Sequence, residues 1–369
     1  RSGCSVFWNF AVIDQGISVP QLPRMCDVLQ QFSSPRLSDI PAAVEGQMQG
    51  LQLRDRVRPG QTVAITAGSR GIANIAVILK GIVDHFRSLG ASPFLVPAMG
   101  SHGGGTADGQ VKMLASLGVT EASTGAPIRA TMDTVVVAQT STGMPVHFDR
   151  YAAEADHVFV VNRVKPHTRF VGPVESGLHK MMLIGLGKHA GAKVYHAGIL
   201  TMSFPEIIEQ VAEQVLRVCR VCGGMAILEN SEDETAIVEA VQPEDFGRRE
   251  PELLSQANEW LPRLPFADVD LLIVDRIGKN ISGVGMDANV IGRKFNDHSA
   301  SPPHPVETRT VHHPSAIDCC REPPQNTPQK LALATDAGYS RFESHGHPAE
   351  QSCRSSSVPP PPPPDPSQT

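Results

Sequence analysis

Several side chains that could do chemistry lie in glycine-rich stretches of this sequence. They are Arg70 in the run AGSRGI, His102 in GSHGGG, and His167, Lys180 and His196 in a longer run that ends at residue 196. Together they could bind an anion through a guanidinium, supply two imidazole bases and a lysine nucleophile, and ligate a metal ion. Four other basic residues nearby are expected in loops or at the surface without a catalytic role: His179, His189, Lys165 and Lys188.

Three of these candidates directly follow apolar segments with the character of buried strands. Val63–Ala67 precedes Arg70, Phe94–Ala98 precedes His102, and Asp156–Val161 precedes His167. Helical periodicity is found at Ile72–Leu89, Thr106–Leu117, Phe204–Cys222 and Glu252–Leu261, and further strands are expected at Met225–Leu228 and Asp270–Val274. This alternation predicts an α/β fold with a largely parallel sheet. Ligand sites of such sheets lie at the carboxyl ends of the strands, so the candidates are expected at one edge.

The domain organisation is predicted from changes in composition. Residues 1–20 form an apolar leader of uncertain status, residues 21–265 a parallel-sheet α/β domain, and residues 266–296 the start of a second α/β domain. Residues 297–369 are rich in Pro and His and include six consecutive prolines, Pro359–Pro364. Such a segment buries too little apolar surface to offset its ordering entropy, so a disordered tail is expected. The abrupt change indicates truncation or a frameshift in the second domain.

Composition excludes some classes of function. A net charge of −6 and the lack of a basic stripe argue against nucleic acid as a partner, and no apolar run approaches the length of a membrane span. A cytoplasmic protein is therefore expected. Seven scattered cysteines form no disulfide framework. Cys219 and Cys222 are expected as buried or half-buried structural thiols in the last turn of a helix, because no second ligand pair follows at zinc-site spacing.

Taken in order, the motifs resemble those of the nickel-dependent lactate racemase family, a group of 2-hydroxy-acid racemases and epimerases. The resemblance covers about Leu22 to Asn296. It is carried by GSRGI, MGSHGGGTADGQ, KPHTRF, ESGLHKMMLIGLGK, the pair Tyr195–His196, and GKNISGVGMDANVIGR. It implies two α/β domains with the active site between them, and a nickel-pincer nucleotide (pyridinium-3,5-bisthiocarboxylic acid mononucleotide nickel) as cofactor.

The resemblance also implies a role for each candidate. Lys180 would be tethered to the cofactor, and His196 would complete the coordination of nickel. His102 and His167 would be the acid/base pair, and Arg70 would contact the substrate or cofactor. The cofactor's phosphate would lie near the glycine loops, which gives the remaining cofactor-binding candidates: Ser69, Gly103, Gly104, Ser176 and Gly177.

These roles suit the inversion of a small 2-hydroxy acid by hydride transfer. Removing the hydroxyl proton of either enantiomer takes one base on each face, and imidazole titrates near neutral pH. A guanidinium can hold the substrate carboxylate through two hydrogen bonds. The sequence departs from the family at Ser176-Gly177-Leu178, where Ser-Gly-Gly is usual, and at residues 287–294. These departures favour a hydroxy acid other than lactate.

Two alternatives remain open at this stage. The run Thr66–Ile72 resembles the phosphate-binding turn of a short-chain-type NAD(P)-dependent dehydrogenase. However, none of the tyrosines (Tyr151, Tyr195 and Tyr339) has a lysine four residues later, as that class requires. The second alternative is an inactive, truncated homologue that binds cofactor only. The oligomeric state and the identity of the hydroxy acid are not predicted.

Overall fold

Strands and helices alternate along the chain, as the hydrophobic pattern predicts. A computed structural model describes residues 28–32, 35–168, 170–266, 271–274, 278, 282 and 285–291, and the backbone of 331–334. Its strands are β1 (Thr62–Ala67), β2 (Ser92–Pro97), β3 (Thr134–Gln139), β4 (Pro145–Asp149), β5 (His157–Arg163), β6 (Val221–Glu229), β7 (Thr235–Val241), β8 (Leu271–Val274) and β9 (Leu331–Ala334).

The helices of the described residues vary widely in length. They are α1 (Ile40–Gly50), α2 (Ile75–Ser88), α3 (Ala107–Ser116), α4 (Glu121–Thr124), α5 (Arg150–Glu154), α6 (Leu178–Lys180), α7 (Leu186–Gly198), α8 (Phe204–Val218) and α9 (Phe246–Trp260). A π-helical turn, Met181–Gly185, joins α6 to α7. None of these helices is both long and apolar enough to span a bilayer.

Among the described residues, five strands form the main sheet in the order β2-β1-β5-β6-β7. The first four strands are parallel, and β7 runs antiparallel to β6. The predicted α/β class with a mostly parallel sheet is therefore confirmed. The antiparallel strand β7 and a separate hairpin, β3–β4, were not predicted.

The sheet buries both of its faces, as the continuous apolar strands require. Along β1, Ala64 faces one core, whereas Val63 and Ile65 face the other. The core that contains Val63 and Ile65 also holds α2, the crossover helix between β1 and β2. The core that contains Ala64 holds the helices that connect β5 to β6. Crossovers from the two adjacent strands β1 and β5 thus lie on opposite faces, which makes their junction a topological switch point.

The boundaries of several predicted elements are confirmed, and two helix boundaries are wrong. The helix predicted to begin at Glu252 begins at Phe246. Thr106 caps α3 by accepting a hydrogen bond from the Gly109 N–H, as its type and position predict. The helix predicted to reach Cys222 ends instead at Val218. Cys219 follows that helix and Cys222 lies in β6, because a short extended link leads directly into the strand. Both thiols are free and at least half-buried, as expected, and burial raises the pKa of each to about 12.

Two of the predicted terminal segments fall largely outside the described residues. The leader, residues 1–20, is outside them. Of the predicted disordered tail, only Leu331–Ala334 is described, as a short strand parallel to Leu271–Val274; at these four residues the structure departs from the prediction. Around the start of the predicted second domain, Leu272 and Ile291 are buried in a small separate cluster.

Gly177 allows α6 to begin directly against α9. The buried carboxylate of Glu250 accepts hydrogen bonds from the backbone N–H of His179 (3.0 Å) and pairs with its ring Nδ1 (2.8 Å). A Cβ at Gly177 would lie 2.2 Å from Glu250 Oε1. The backbone at Gly177 is extended, so close approach rather than torsion requires glycine.

We expect Gly177→Ala to lower the free energy of unfolding by about 1–3 kcal/mol, because overpacking displaces a buried carboxylate. Gly46→Ala is the control: this glycine is in α1 and its Cβ would meet nothing. That variant should be stabilised by about 0.5–1 kcal/mol through helix propensity. Urea unfolding of both variants measures the difference. Equal stability of the two would show that Glu250 does not restrict Gly177.

Candidate active site

Four of the predicted candidates, Arg70, His102, His167 and Lys180, lie at the carboxyl edge of the sheet, beside the β1–β5 junction. Ser69 and Arg70 follow β1, His102 follows β2, and His167 follows β5. The structure therefore confirms that the strands precede these residues as the sequence predicts. Lys180 reaches the same region from α6, because α6 and the π-helical turn pack on β5 and on the loop after β2.

His102 is oriented by Ser69. The Ser69 Oγ lies 2.6 Å from His102 Nδ1. When Nδ1 carries the proton and donates to this hydroxyl, Nε2 presents a lone pair, which is the form a base needs. The pKa of His102 is lowered below its usual value, first by desolvation of the ring and then by the positive charges of Arg70 and Lys180. The ring is therefore neutral at neutral pH and can accept a proton.

Lys180 has the properties of a nucleophile. It is half-buried, and burial together with the charges of Arg70 and Lys165 lowers its pKa to about 7, although Glu175 opposes the shift. An ordinary lysine is protonated at this pH. A substantial fraction of Lys180 thus carries a free amine at neutral pH, as attack on an acyl-type carbon requires.

His167 lies in the loop that connects β5 to α6, and aromatic packing joins it to Lys180. Its backbone N–H donates to the buried carboxylate of Glu175, and its ring stacks on Phe170 with the centroids 4.0 Å apart. The Lys180 Nζ lies 5.8 Å from the centroid of the same Phe170 ring. Phe204 supports that ring from the edge. The stacked ring thus limits how far His167 can move from the amine.

A cluster of charged side chains at the ends of β5 and β6 borders this site. Arg163 pairs with Glu229, and the Nζ of Lys165 lies 3.8 Å from Asp287 Oδ2. Burial and the charge of Arg163 lower the pKa of Lys165, whereas Asp287 opposes the shift. Lys165, predicted to be a surface residue, is half-buried here. Asp287 belongs to the predicted second domain and so brings that segment to the site.

The glycine and serine candidates occupy defined positions, but only some face open space. Gly103 and Gly104 have φ angles of +67° and +68°, a left-handed conformation that favours glycine. A Cβ at Gly103 would lie 2.6 Å from the backbone of Gly109, so this residue packs on α3. A Cβ at Gly104 would meet nothing. Ser176 is tied to Lys165 by a backbone hydrogen bond of 2.9 Å. Their contact with a cofactor remains a prediction.

His196 is the candidate that the structure does not bring to the others. It lies exposed near the end of α7, and in the described part of the chain it makes no hydrogen bond or ion pair. No group of three or more metal-ligating side chains is found among the described residues. A metal held by one protein ligand and a cofactor needs no such group. The imidazole of His196 is thus available, and its role as a metal ligand remains a prediction.

Two residues expected at the surface are buried instead. His179 is paired with Glu250 against α9, and Lys188 is fully buried in an ion pair with Asp149. Both predictions were wrong because the pairing partners are distant in the sequence, so no local pattern indicates them. His189, in contrast, is exposed as expected. The glycine-rich run after Lys180, interpreted as a phosphate-binding loop, is helical from Leu178 to Gly198 apart from a kink at Lys188.

Fold and site together define an α/β protein with a basic candidate site at the switch point of its sheet. Its residues 25–205 match the sequence profile of the lactate racemase N-terminal domain. These residues belong to the lactate racemase N-terminal domain family, and the chain thus carries a domain of a racemase family. The predicted resemblance is confirmed over this range. No curated protein sequence matches the chain.

Solved structures with a similar arrangement include the lactate racemase apoprotein from Thermoanaerobacterium thermosaccharolyticum. It is 14% identical, with a TM-score of 0.47 over 66% of this chain and 61% of its own. Another is a protein from Thermotoga maritima, 16% identical, with a TM-score of 0.45 over 65% of each chain. The present chain thus spans less than two thirds of either protein.

Replacing Arg70 should change the titration of both neighbouring groups. Because Arg70 lowers the pKa of His102 and of Lys180, we expect Arg70→Gln to raise both. The midpoint of the pH dependence of Lys180 acylation, followed by peptide mass spectrometry, should move above about 7. NMR titration of ring-labelled histidine measures the pKa of His102. Arg217→Gln, an exposed change at the end of α8, is the control. Unchanged midpoints in Arg70→Gln would remove Arg70 from the site.

Proposed function

We propose that this chain is part of an enzyme that racemises or epimerises a small 2-hydroxy acid. The observation that carries the proposal is the convergence of Arg70, His102 and Lys180 within a domain of the lactate racemase family. The site combines a neutral base, a fixed cation and a nucleophilic amine. The proposal includes a cytoplasmic location, a small-molecule partner, and neither a nucleic acid nor a membrane as ligand.

The residues present fit a nickel-pincer nucleotide as cofactor. Lys180 would hold it covalently, because a pKa of about 7 leaves part of its amine unprotonated and nucleophilic at neutral pH. His196 would supply an imidazole to the nickel, which suits a centre whose other donors are carbon and sulfur. The phosphate would lie beside Ser69 and Gly104. When bound, the cofactor would accept a hydride from the substrate and return it.

The protein's own residues would then bind the substrate and move its protons. Arg70 would hold the carboxylate, since its exposed guanidinium offers two parallel donors. His102 Nε2 would take the hydroxyl proton of one enantiomer, and His167 that of the other. Each would give its proton back in the reverse direction. The ring of Phe170 would exclude water from the face on which His167 acts.

The dehydrogenase alternative is disfavoured by a contact at the start of α2. A dinucleotide pyrophosphate would need the free N–H groups at this helix N-terminus. Here the Ala73 N–H donates to Glu229 Oε1 at 2.6 Å. A carboxylate of the protein therefore occupies the place of the phosphate and would repel it. NAD retained by the purified protein, without nickel, would instead support the dehydrogenase.

Covalent attachment at Lys180 can be tested directly. We expect the full chain, coexpressed with enzymes that make the pincer cofactor and supplied with nickel, to carry an added mass. Lys180→Ala should abolish the added mass, because the amine forms the link. Lys193→Ala, an exposed lysine of α7, should keep it. Intact-mass analysis decides between the outcomes, and an adduct retained by Lys180→Ala excludes the assignment.

The two bases can be tested with a substrate deuterated at the α-carbon. His102→Ala or His167→Ala should slow both directions of racemisation by about 10²–10⁴-fold, because each imidazole is base in one direction and acid in the other. His189→Ala, an exposed histidine, should leave the rate unchanged. The deuterium should remain in the product, since a transferred hydride does not exchange with water. Loss of the label together with active histidine variants would contradict the mechanism.

A further inference from the structure

Lys188 occupies an unusual position for a charged residue. It lies inside α7, yet its backbone adopts φ 54° and ψ −158°, which kinks the helix. Its side chain is fully buried. A left-handed conformation at a non-glycine residue costs about 1–3 kcal/mol and persists only where the surroundings enforce it. The proposed chemistry uses neither the kink nor the ammonium.

The contacts of the ammonium account for its burial. The Nζ of Lys188 donates to the carbonyl oxygen of Pro97, at the end of β2, and to Gln110 Oε1 at 3.1 Å. It also lies 3.1 Å from Asp149 Oδ2, and the side chain of Asp149 is fully buried as well. The ammonium thus makes two hydrogen bonds and one ion pair. These acceptors belong to β2, α3 and β4.

Gln110 extends this network to the loop of His102. Its side chain is fully buried, and its Nε2 donates to the carbonyl oxygen of Gly100 at 2.9 Å and to that of His102 at 3.4 Å. Because Oε1 accepts from Lys188, the amide is held with its NH₂ group toward the loop. Lys188 therefore sets the orientation of the amide that fixes the backbone of His102.

The kink also divides the helical segment that bears two other candidates. Lys180 lies eight residues before Lys188, and His196 lies eight residues after it. The backbone conformation of this one residue sets the direction of one half of the segment relative to the other. The same residue thus bears on three of the candidate site residues: His102, Lys180 and His196.

Stability alone does not explain the pair. Replacing a buried ion pair with apolar residues of similar volume is often neutral or stabilising. In contrast, the Lys188–Asp149 pair also contacts Pro97 and Gln110, and these polar contacts are satisfied in only one arrangement of the surrounding groups. The geometry points to Lys188 as a positioning residue that holds the His102 loop and the kink between Lys180 and His196. This inference rests on the proposed function for the roles of those three residues.

The test uses variants that leave the net charge unchanged. Lys188→Met/Asp149→Leu removes one positive and one negative charge together. Gln110→Met keeps both charges and removes the link to the loop along with one acceptor of the Lys188 ammonium. In the full chain without cofactor, we expect both variants to stay folded and the pKa of His102 to rise toward 6.5. Release of the loop would return the ring to water and away from Arg70. NMR titration of ring-labelled histidine measures this shift.

In the cofactor-loaded protein, both variants should lower kcat on the order of 10²-fold, as about 1 Å of misplacement does, without abolishing the Lys180 adduct. Tyr195→Phe, a buried change on the same helix, is the control and should leave both readouts unchanged. A His102 titration identical to the wild type in folded Gln110→Met overturns the inference. If Lys188→Met/Asp149→Leu fails to fold, Gln110→Met still decides. A shifted titration in a chain that racemises nothing would refute the proposed function alone.

Discussion

The parallel pairing of β1 with β5, with their crossover helices on opposite faces of the sheet, is the constraint on which the site depends. Parallel strands end at the same edge of a sheet, so the pairing of the strands is enough to bring the loops after them together. At a switch point the two loops diverge, which is where ligand sites of such sheets lie. Ser69 and Arg70 follow β1, and Lys165 and His167 follow β5. Side chains from the two loops can therefore act on the same ligand.

The positive charges beside the β1–β5 junction have a direct chemical consequence. An arginine side chain keeps its proton in proteins, whereas a lysine side chain can lose it. Burial is the largest cause that lowers the pKa of Lys180 to about 7, and the charges of Arg70 and Lys165 lower it further. Burial first, and then the charges of Arg70 and Lys180, also lower the pKa of His102, so its ring is neutral at neutral pH. Burial and nearby positive charge thus act in the same direction on the amine and on the imidazole, and a positive field of this kind attracts anions.

The sequence was sufficient to predict the residues whose place follows from local pattern. Arg70, His102 and His167 each follow an apolar run, and that is enough to place them at the edge of a parallel sheet. Thr106 was predicted as a cap from its type alone. The helix that bears Lys180 was missed because its glycines are typical of loops. In the structure, a Cβ at Gly185 would lie 2.9 Å from the carbonyl oxygen of Ala98, so glycine serves close packing there.

Lys188 and His179 could not be predicted for a different reason. A buried charge is acceptable only where partners compensate it, and Asp149 and Glu250 come from elements far away in the sequence. Hydrophobic periodicity carries no information on such pairs. The hairpin β3–β4 was missed as well, and it is this hairpin that delivers Asp149 to Lys188. The hairpin was not predicted, so the buried partner of Lys188 could not be predicted either.

The glycine loop around His102 shows why a site of this kind needs such a pair. Gly103, Gly104 and Gly105 all adopt left-handed conformations, which only glycine reaches without strain. Glycine also has the largest conformational entropy to lose, so the loop does not hold its own shape. The conformation of the loop must therefore be fixed by a group outside the loop, which donates hydrogen bonds to the carbonyl groups of the loop. Gln110 is that donor, and Lys188 fixes it. A rigid base on a glycine-rich loop thus depends on a buried charge on another element.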